Sequence, residues 1–245
     1  MANKYLFENR DQRIERMMRD NPRCSVEQCI VVVDGIWDKK RELILKNIPG
    51  RFKQADIGDL GYQTKEAISA LNELLDDSSK NDVVGIVLCG VAGSGKTHAA
   101  YAMIKWLASK NPEMVAYMAN YPYTIQELRT EFVNSTYDEM GSAWDKLNNE
   151  SGLYNGVLLW DDISSGKQTD FEIDKLLAVL DRRMDNFMPF IITTNVKQED
   201  FKSNFGERLA SRLSGYCRVI EFEARDRRLD INNHGENEKG ILSTE

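Results

Sequence analysis

Cysteine and histidine are scarce in this chain, four of one and two of the other among 245 residues. So thin a set, at positions 24, 29, 89, 217, 98 and 234, excludes a disulfide-stapled scaffold. Cys24 and Cys29 have CxxxxC spacing, but a zinc site needs two further ligands nearby and none stands there. The thiols therefore read as reduced and partly buried. Glycine and proline are too sparse for a collagen-like or low-complexity chain. No apolar run approaches the roughly 20 residues that span a bilayer. The first residues, MANKYLFENRDQRIERMMRD, are charged throughout and hold no apolar core of a secretory signal. The expected location is the cytoplasm, with no membrane partner. Positive charge is in deficit too. A net charge of -7 argues against a protein that coats nucleic acid with its whole surface. Basic charge is instead local, with six arginines between Arg208 and Arg228.

Residues 1–46 read as helical and charged around an apolar interruption, CIVVVDGIW. Ser25 and Gln28 have capping-box spacing, which would start a helix there. The β-branched run Ile30 to Val33 argues for a strand. The turn-rich KNIPGRFKQADIGDLGY follows, with Pro49 and Gly50. From there the pattern is regular. Helical spacing of Ala67, Ile68, Leu71, Leu74 and Leu75 predicts a helix over 63–76. The wholly apolar run at 83–90 predicts a strand buried on both faces, and further strands are predicted at 114–119, 156–161, 189–194 and 217–222. Helices are predicted over 96–110, from a Thr124/Glu127 capping box to about 133, and over 138–149. A Thr169/Glu172 capping box predicts another, and a last short one over FGERLASRLSG is closed by Gly215. The tail from 229 is polar and frayed. Five apolar strands alternating with helices specify an α/β domain with a parallel sheet, whose ligands belong at the carboxyl ends of the strands.

Between the first of these strands and its helix stands Gly90-Val91-Ala92-Gly93-Ser94-Gly95-Lys96-Thr97, which matches G-x-x-x-x-G-K-[ST]. The spacing suits a triphosphate. Backbone N–H groups at a helix N-terminus point at it, and the dipole favours anions there. Glycines remove the Cβ atoms that would block the wrap. Lys96 would reach the β- and γ-phosphates of ATP, and the Thr97 hydroxyl would hold Mg²⁺. Asp161 and Asp162 end the apolar strand VLLW. Asp161 would orient the Mg²⁺, and Asp162 would act as general base on the attacking water. Thr193, Thr194 and Asn195 end the strand FII, and the Asn195 amide could hydrogen-bond that water or the γ-phosphate. Arg208 and Arg212 are i,i+4 and share a helix face. Residue spacing leaves open whether they form a solvated face or act on a neighbour's γ-phosphate.

Taken together, NIPGRFKQADIGDL (47–60), GVAGSGKTHAA (90–100), VLLWDDIS (157–164), FIITTN (190–195) and GERLASRL (206–213) resemble the AAA+ ATPases of the DnaC-type helicase-loader group, which includes the IstB-like transposition ATPases. The resemblance covers about residues 47–228. GKTH with His98, and the double aspartate, are the features closest to this group. The resemblance implies that Lys96 and Thr97 are the Walker A pair, with His98 beside them, and Asp161 and Asp162 the Walker B pair. It implies Asn195 as sensor 1, Arg212 as arginine finger with Arg208 the nearby alternate, and Arg228 as sensor 2 with Arg225 as fallback. Asp162 stands where most AAA+ proteins have glutamate, one methylene further from the water, which implies slow hydrolysis.

The implied fold is a lone AAA+ αβα core with little or no lid, over 47–228, and a flexible tail over 229–245. Residues 1–46 would form a short helical segment that grips a hexameric replicative helicase. It is shorter than the N-terminal domains common in cellular loaders, which points to a phage or mobile-element version. The ATPase face would hold single-stranded DNA, and protomers would assemble into a ring or helix with ATP at the seams. The alternative is an IstB-like ATPase that binds duplex DNA and regulates a transposase. A third reading is a regulator whose nucleotide only orders a protein interface.

Overall fold

The computed structural model of the protein describes residues 10–75, 83–110, 115–136, 138–149, 156–163 and 168–222. Five strands, β1 (Gly85–Gly90), β2 (Val115–Asn120), β3 (Gly156–Ile163), β4 (Phe190–Thr194) and β5 (Cys217–Phe222), form one sheet in the order β2-β3-β4-β1-β5. Every pairing is parallel. Strands β1 and β4 are buried along their whole length, as apolar runs covered on both faces should be. Alternate side chains feed two cores. Val87, Trp160, Phe190 and Ile192 pack one way with the helices α5 (Tyr121–Asn134), α6 (Ala143–Asn148), α7 (Asp170–Asp185) and α8 (Phe201–Tyr216). Ile86, Leu88, Leu159 and Ile191 pack the other way with α3 (Thr64–Leu75) and α4 (Lys96–Lys110). The result is a three-layer αβα sandwich. Truncating the fully buried Trp160 to alanine would cost about 3–5 kcal/mol.

The N-terminal helices are α1 (Arg10–Asp20) and α2 (Val26–Asn47). The capping box wins over the β-branched run: the Ser25 hydroxyl accepts from the Gln28 N–H, and the Gln28 amide accepts from the Ser25 N–H. Helical spacing then buries Cys29 and Val33 against Ile14 of α1, while the intervening Val31 points outward. Arg10 clamps Asp34 with two hydrogen bonds of 2.7 and 2.9 Å. At its other end α2 joins the main core through Ile44, with Ile48 just beyond it.

Three local predictions differ from the structure. The Thr124/Glu127 pair lies inside α5, which begins earlier with Asn120 as its cap and Pro122 in the first turn, where a missing N–H costs nothing. Thr124 instead donates its hydroxyl to the Asn120 carbonyl at 2.8 Å. The helix predicted over 138–149 is shorter. It starts after Ser142, and the Glu131 carboxylate accepts from the Ala143 and Trp144 N–H groups at that point. Gly215 does not close α8. The helix kinks at Gly206 (φ 80) and runs to Tyr216, stopping only where Cys217 pairs with Gly85 in the sheet. There, sheet pairing outweighs the local glycine signal.

Arg183 of α7 is wholly buried and donates to the carbonyls of Leu147, Gly156 and Pro189. It ties the end of α6 to the starts of β3 and β4, and burial pushes its pKa down to about 9. Nothing in the local sequence marks it.

Candidate nucleotide-binding and hydrolysis site

The strand order places β4 between β1 and β3, so the carboxyl ends of these three strands are adjacent. The loop 90–95 leaves β1 there and wraps tightly, with positive φ at Gly90 (122), Gly93 (76) and Gly95 (102). A Cβ on Gly90 would stand 2.3 Å from the Phe222 carbonyl oxygen, so only glycine fits. The loop opens directly into α4, whose first residue is Lys96. The Lys96 ammonium donates back to the carbonyls of Gly90 (2.9 Å) and Val91 (2.7 Å) and is buried. The Ser94 hydroxyl is buried within the loop and has no protein partner. A buried orphan donor, a lysine and a helix N-terminus form a cradle that fits a phosphate chain.

Thr97, Asp161 and Thr193 meet at one point. The Thr97 hydroxyl donates to Asp161 Oδ1 at 2.9 Å, and the Thr193 hydroxyl donates to the same oxygen at 2.6 Å. Burial raises the pKa of the Asp161 carboxyl, the two hydroxyls oppose that, and the neighbouring Asp162 charge adds to it. Such a carboxylate gains most from a cation placed beside it. A hydroxyl and a carboxylate are the hard oxygen donors that suit Mg²⁺, which keeps waters and needs only one or two protein ligands beside phosphates.

Adjacent strand residues ordinarily point to opposite faces. Here the β3–β4 register shifts between Trp160 and Ile163, and Asp162 takes a left-handed conformation (φ 65). This conformation leaves Asp161 buried and turns Asp162 out at the same strand tip. Asp162 is held twice. Its N–H donates to the Thr193 hydroxyl at 2.8 Å, and its carboxylate accepts from Asn195 Nδ2 at 3.4 Å. The Thr194 hydroxyl donates to the Ile163 carbonyl and accepts from the Val196 N–H, locking β4 to the far side of the bulge. Thr193 was visible in the sequence as a polar strand end, but its role between the two aspartates was not. It sits in the run FIITTN, but its part depends on β4 lying beside β3.

His98 does not join this cluster; its ring faces Phe52 at 6.5 Å. Phe52 stacks on Tyr101 at 4.7 Å, and Arg51 lies 4.6 Å over Phe52. The Arg51 charge acts on the Asp161 carboxyl, a contribution to the site that sequence reading did not anticipate. Arg208 and Arg212 lie elsewhere. Both reach Asp181 of α7, and Arg212 lines a groove with Val84, at the start of β1. About 20 Å of strand, at ~3.3 Å per residue, separates that end from the phosphate loop. The arginines thus stand away from their own chain's loop. Arg225, Arg228 and the tail lie outside the described residues, as does the region where a lid would follow β5. Among the described residues no helix is long and apolar enough to cross a membrane.

No protein-family model matches the chain, and no curated protein does. Solved structures match over about three quarters of the chain. The DnaC helicase loader superposes with TM-score 0.58 at 20% identity, over 71% of this chain and 100% of that one. DnaI gives 0.56 at 19%, over 74% and 95%. The replication initiator DnaA bound to AMPPCP and single-stranded DNA gives 0.55 at 15%, over 78% and 57%. The parallel five-stranded sheet, the strand order and these likenesses together give the chain the AAA+ P-loop fold in the form seen in DnaC-type helicase loaders.

Proposed function

We propose that the chain is an ATP-hydrolysing loader of a hexameric replicative helicase. One observation carries the reading: Thr97 at the start of α4, Asp161 and Asp162 at the tip of β3, and Asn195 just beyond β4 converge beside a glycine loop that fits phosphates. Lys96 and the loop N–H groups bind the ATP phosphates. Thr97 and Asp161 hold Mg²⁺, which when bound neutralises charge on the phosphates. Asp162 takes the proton of the attacking water as general base, and Asn195 orients that base and the water. Arg212, with Arg208 as alternate, completes a neighbouring protomer's site in a ring or helical assembly. Arg228 senses nucleotide from the segment after β5. Residues 1–46 grip the helicase, and the ATPase face holds single-stranded DNA. The exposed side of α2, with Val31 at 71% and Leu43 at 60% exposure, supports the gripping role.

The test is co-purification of the full chain with its host's replicative helicase, with ATP turnover measured with and without single-stranded DNA. Capture of the helicase, lost in a Val31→Asp/Leu43→Asp variant, is the expected result. Filaments on duplex DNA without helicase capture would favour the transposase-regulating alternative. Turnover that ignores DNA and assembly would favour a nucleotide-ordered regulator.

A further inference from the structure

Arg212 does not hang free on α8. Its Nε donates to Asp181 Oδ1 and its Nη2 to Asp181 Oδ2, the latter at 3.1 Å. The pair raises the pKa of the guanidinium. The backbones on both sides are fixed, because Leu180 and Leu213, next in sequence to the two partners, are buried in the same core. Arg208 reaches the same carboxylate at 3.6 Å but is 68% exposed, against 32% for Arg212. The carboxylate therefore selects between two arginines that sequence spacing could not separate.

A guanidinium is a planar fork with five N–H donors. Asp181 occupies the edge formed by Nε and one Nη2 hydrogen. The edge formed by Nη1 and the other Nη2 hydrogen is geometrically independent and suits a phosphate, which binds arginine bidentately. We infer that Asp181 is a positioning residue that grips one edge of the Arg212 guanidinium and presents the other to a phosphate of a neighbouring protomer's nucleotide. This rests on the proposed role of Arg212 in trans. A lysine could not substitute, since a single ammonium has no fixed second edge.

The experiment measures ATP turnover by the assembled protein for Asp181→Asn, Asp181→Glu, Arg212→Ala and Arg212→Lys, alone and mixed with Lys96→Ala protomers. Asp181→Asn should lower kcat about 10- to 100-fold, as loss of alignment does, with KM for ATP unchanged. Asp181→Glu should recover part of that loss, and Arg212→Lys should be as poor as Arg212→Ala. Mixing Asp181→Asn with Lys96→Ala protomers should restore turnover, because the latter supply a correctly presented arginine to the former's intact ATP sites. Mixing Asp181→Asn with Arg212→Ala should not. A merely structural role would show as a lost ATP site that Lys96→Ala protomers cannot rescue, and that result would overturn the inference. So would wild-type kcat in Asp181→Asn when Arg212→Ala is inactive. Wild-type turnover in the Arg212→Ala assembly would instead remove the in-trans role on which the inference stands.

Discussion

Thr193→Val removes one hydroxyl and almost no volume, yet that hydroxyl joins both aspartates of the site. It accepts from the Asp162 N–H at 2.8 Å and donates to Asp161 Oδ1 at 2.6 Å, and the side chain is buried. Losing a hydrogen bond to a charged group and stranding a backbone N–H costs about 2–4 kcal/mol together. In a chain of this size each kcal/mol shifts the melting temperature by roughly 2–4 °C, so the variant should melt about 4–16 °C lower. The pH dependence has a definite sign. Burial already raises the Asp161 pKa, and the Thr193 hydroxyl opposes that rise, so the bond favours the ionised form. Its stabilisation is present above the folded-state pKa and fades as pH falls through it. The gap between wild type and variant should therefore narrow on acidification. Thr193→Ser, which keeps the hydroxyl, should melt close to wild type. The assay is thermal unfolding from pH 4 to 8 alongside steady-state ATP turnover. A Thr193→Val protein that melts within 1 °C of wild type at neutral pH, with full turnover, would refute the idea that this hydroxyl assembles the site.

Lys96→Ala should abolish measurable ATP binding in titration calorimetry while leaving the fold intact, and retained affinity would defeat the phosphate-loop reading. Asp162→Asn should bind ATP as wild type does and lose about 100- to 10,000-fold in turnover, the usual contribution of a general base. Equal losses in binding and turnover would instead make Asp162 a metal or phosphate ligand. Gly90→Ala forces a Cβ to 2.3 Å from the Phe222 carbonyl at a φ of 122. It should cost on the order of 3 kcal/mol and weaken nucleotide binding, read as a lower melting temperature that added ATP restores poorly.

The tight glycine loop before α4 was legible because its signal is local. Glycines at 90, 93 and 95 and the adjoining Lys96-Thr97 need only consecutive residues and a strand-to-helix turn, and α4 begins at Lys96 as predicted. The Thr169 capping box was legible for the same reason, whereas the β-branched run Ile30 to Val33 left the segment after Ser25 open between helix and strand, and only the formed capping box decided it. The opposite holds for Gly215, where a helix ends by sheet pairing rather than by glycine, and for Arg183, whose three carbonyl partners come from distant segments.

Sequence alone placed a glycine loop after the first buried strand and two aspartates at the tip of another, and specified that these strands run parallel in one sheet. Hydrophobic patterning and loop geometry act over a few residues and leave a readable trace there. Tertiary structure decided that β4 lies between β1 and β3, that a bulge divides Asp161 from Asp162, that Thr193 bridges them, and that Asp181 takes two hydrogen bonds from Arg212 and a longer contact from Arg208. Those contacts join residues as far apart in sequence as Gly85 and Phe190, and only the packing of the sheet and its helices brings such pairs within hydrogen-bonding distance.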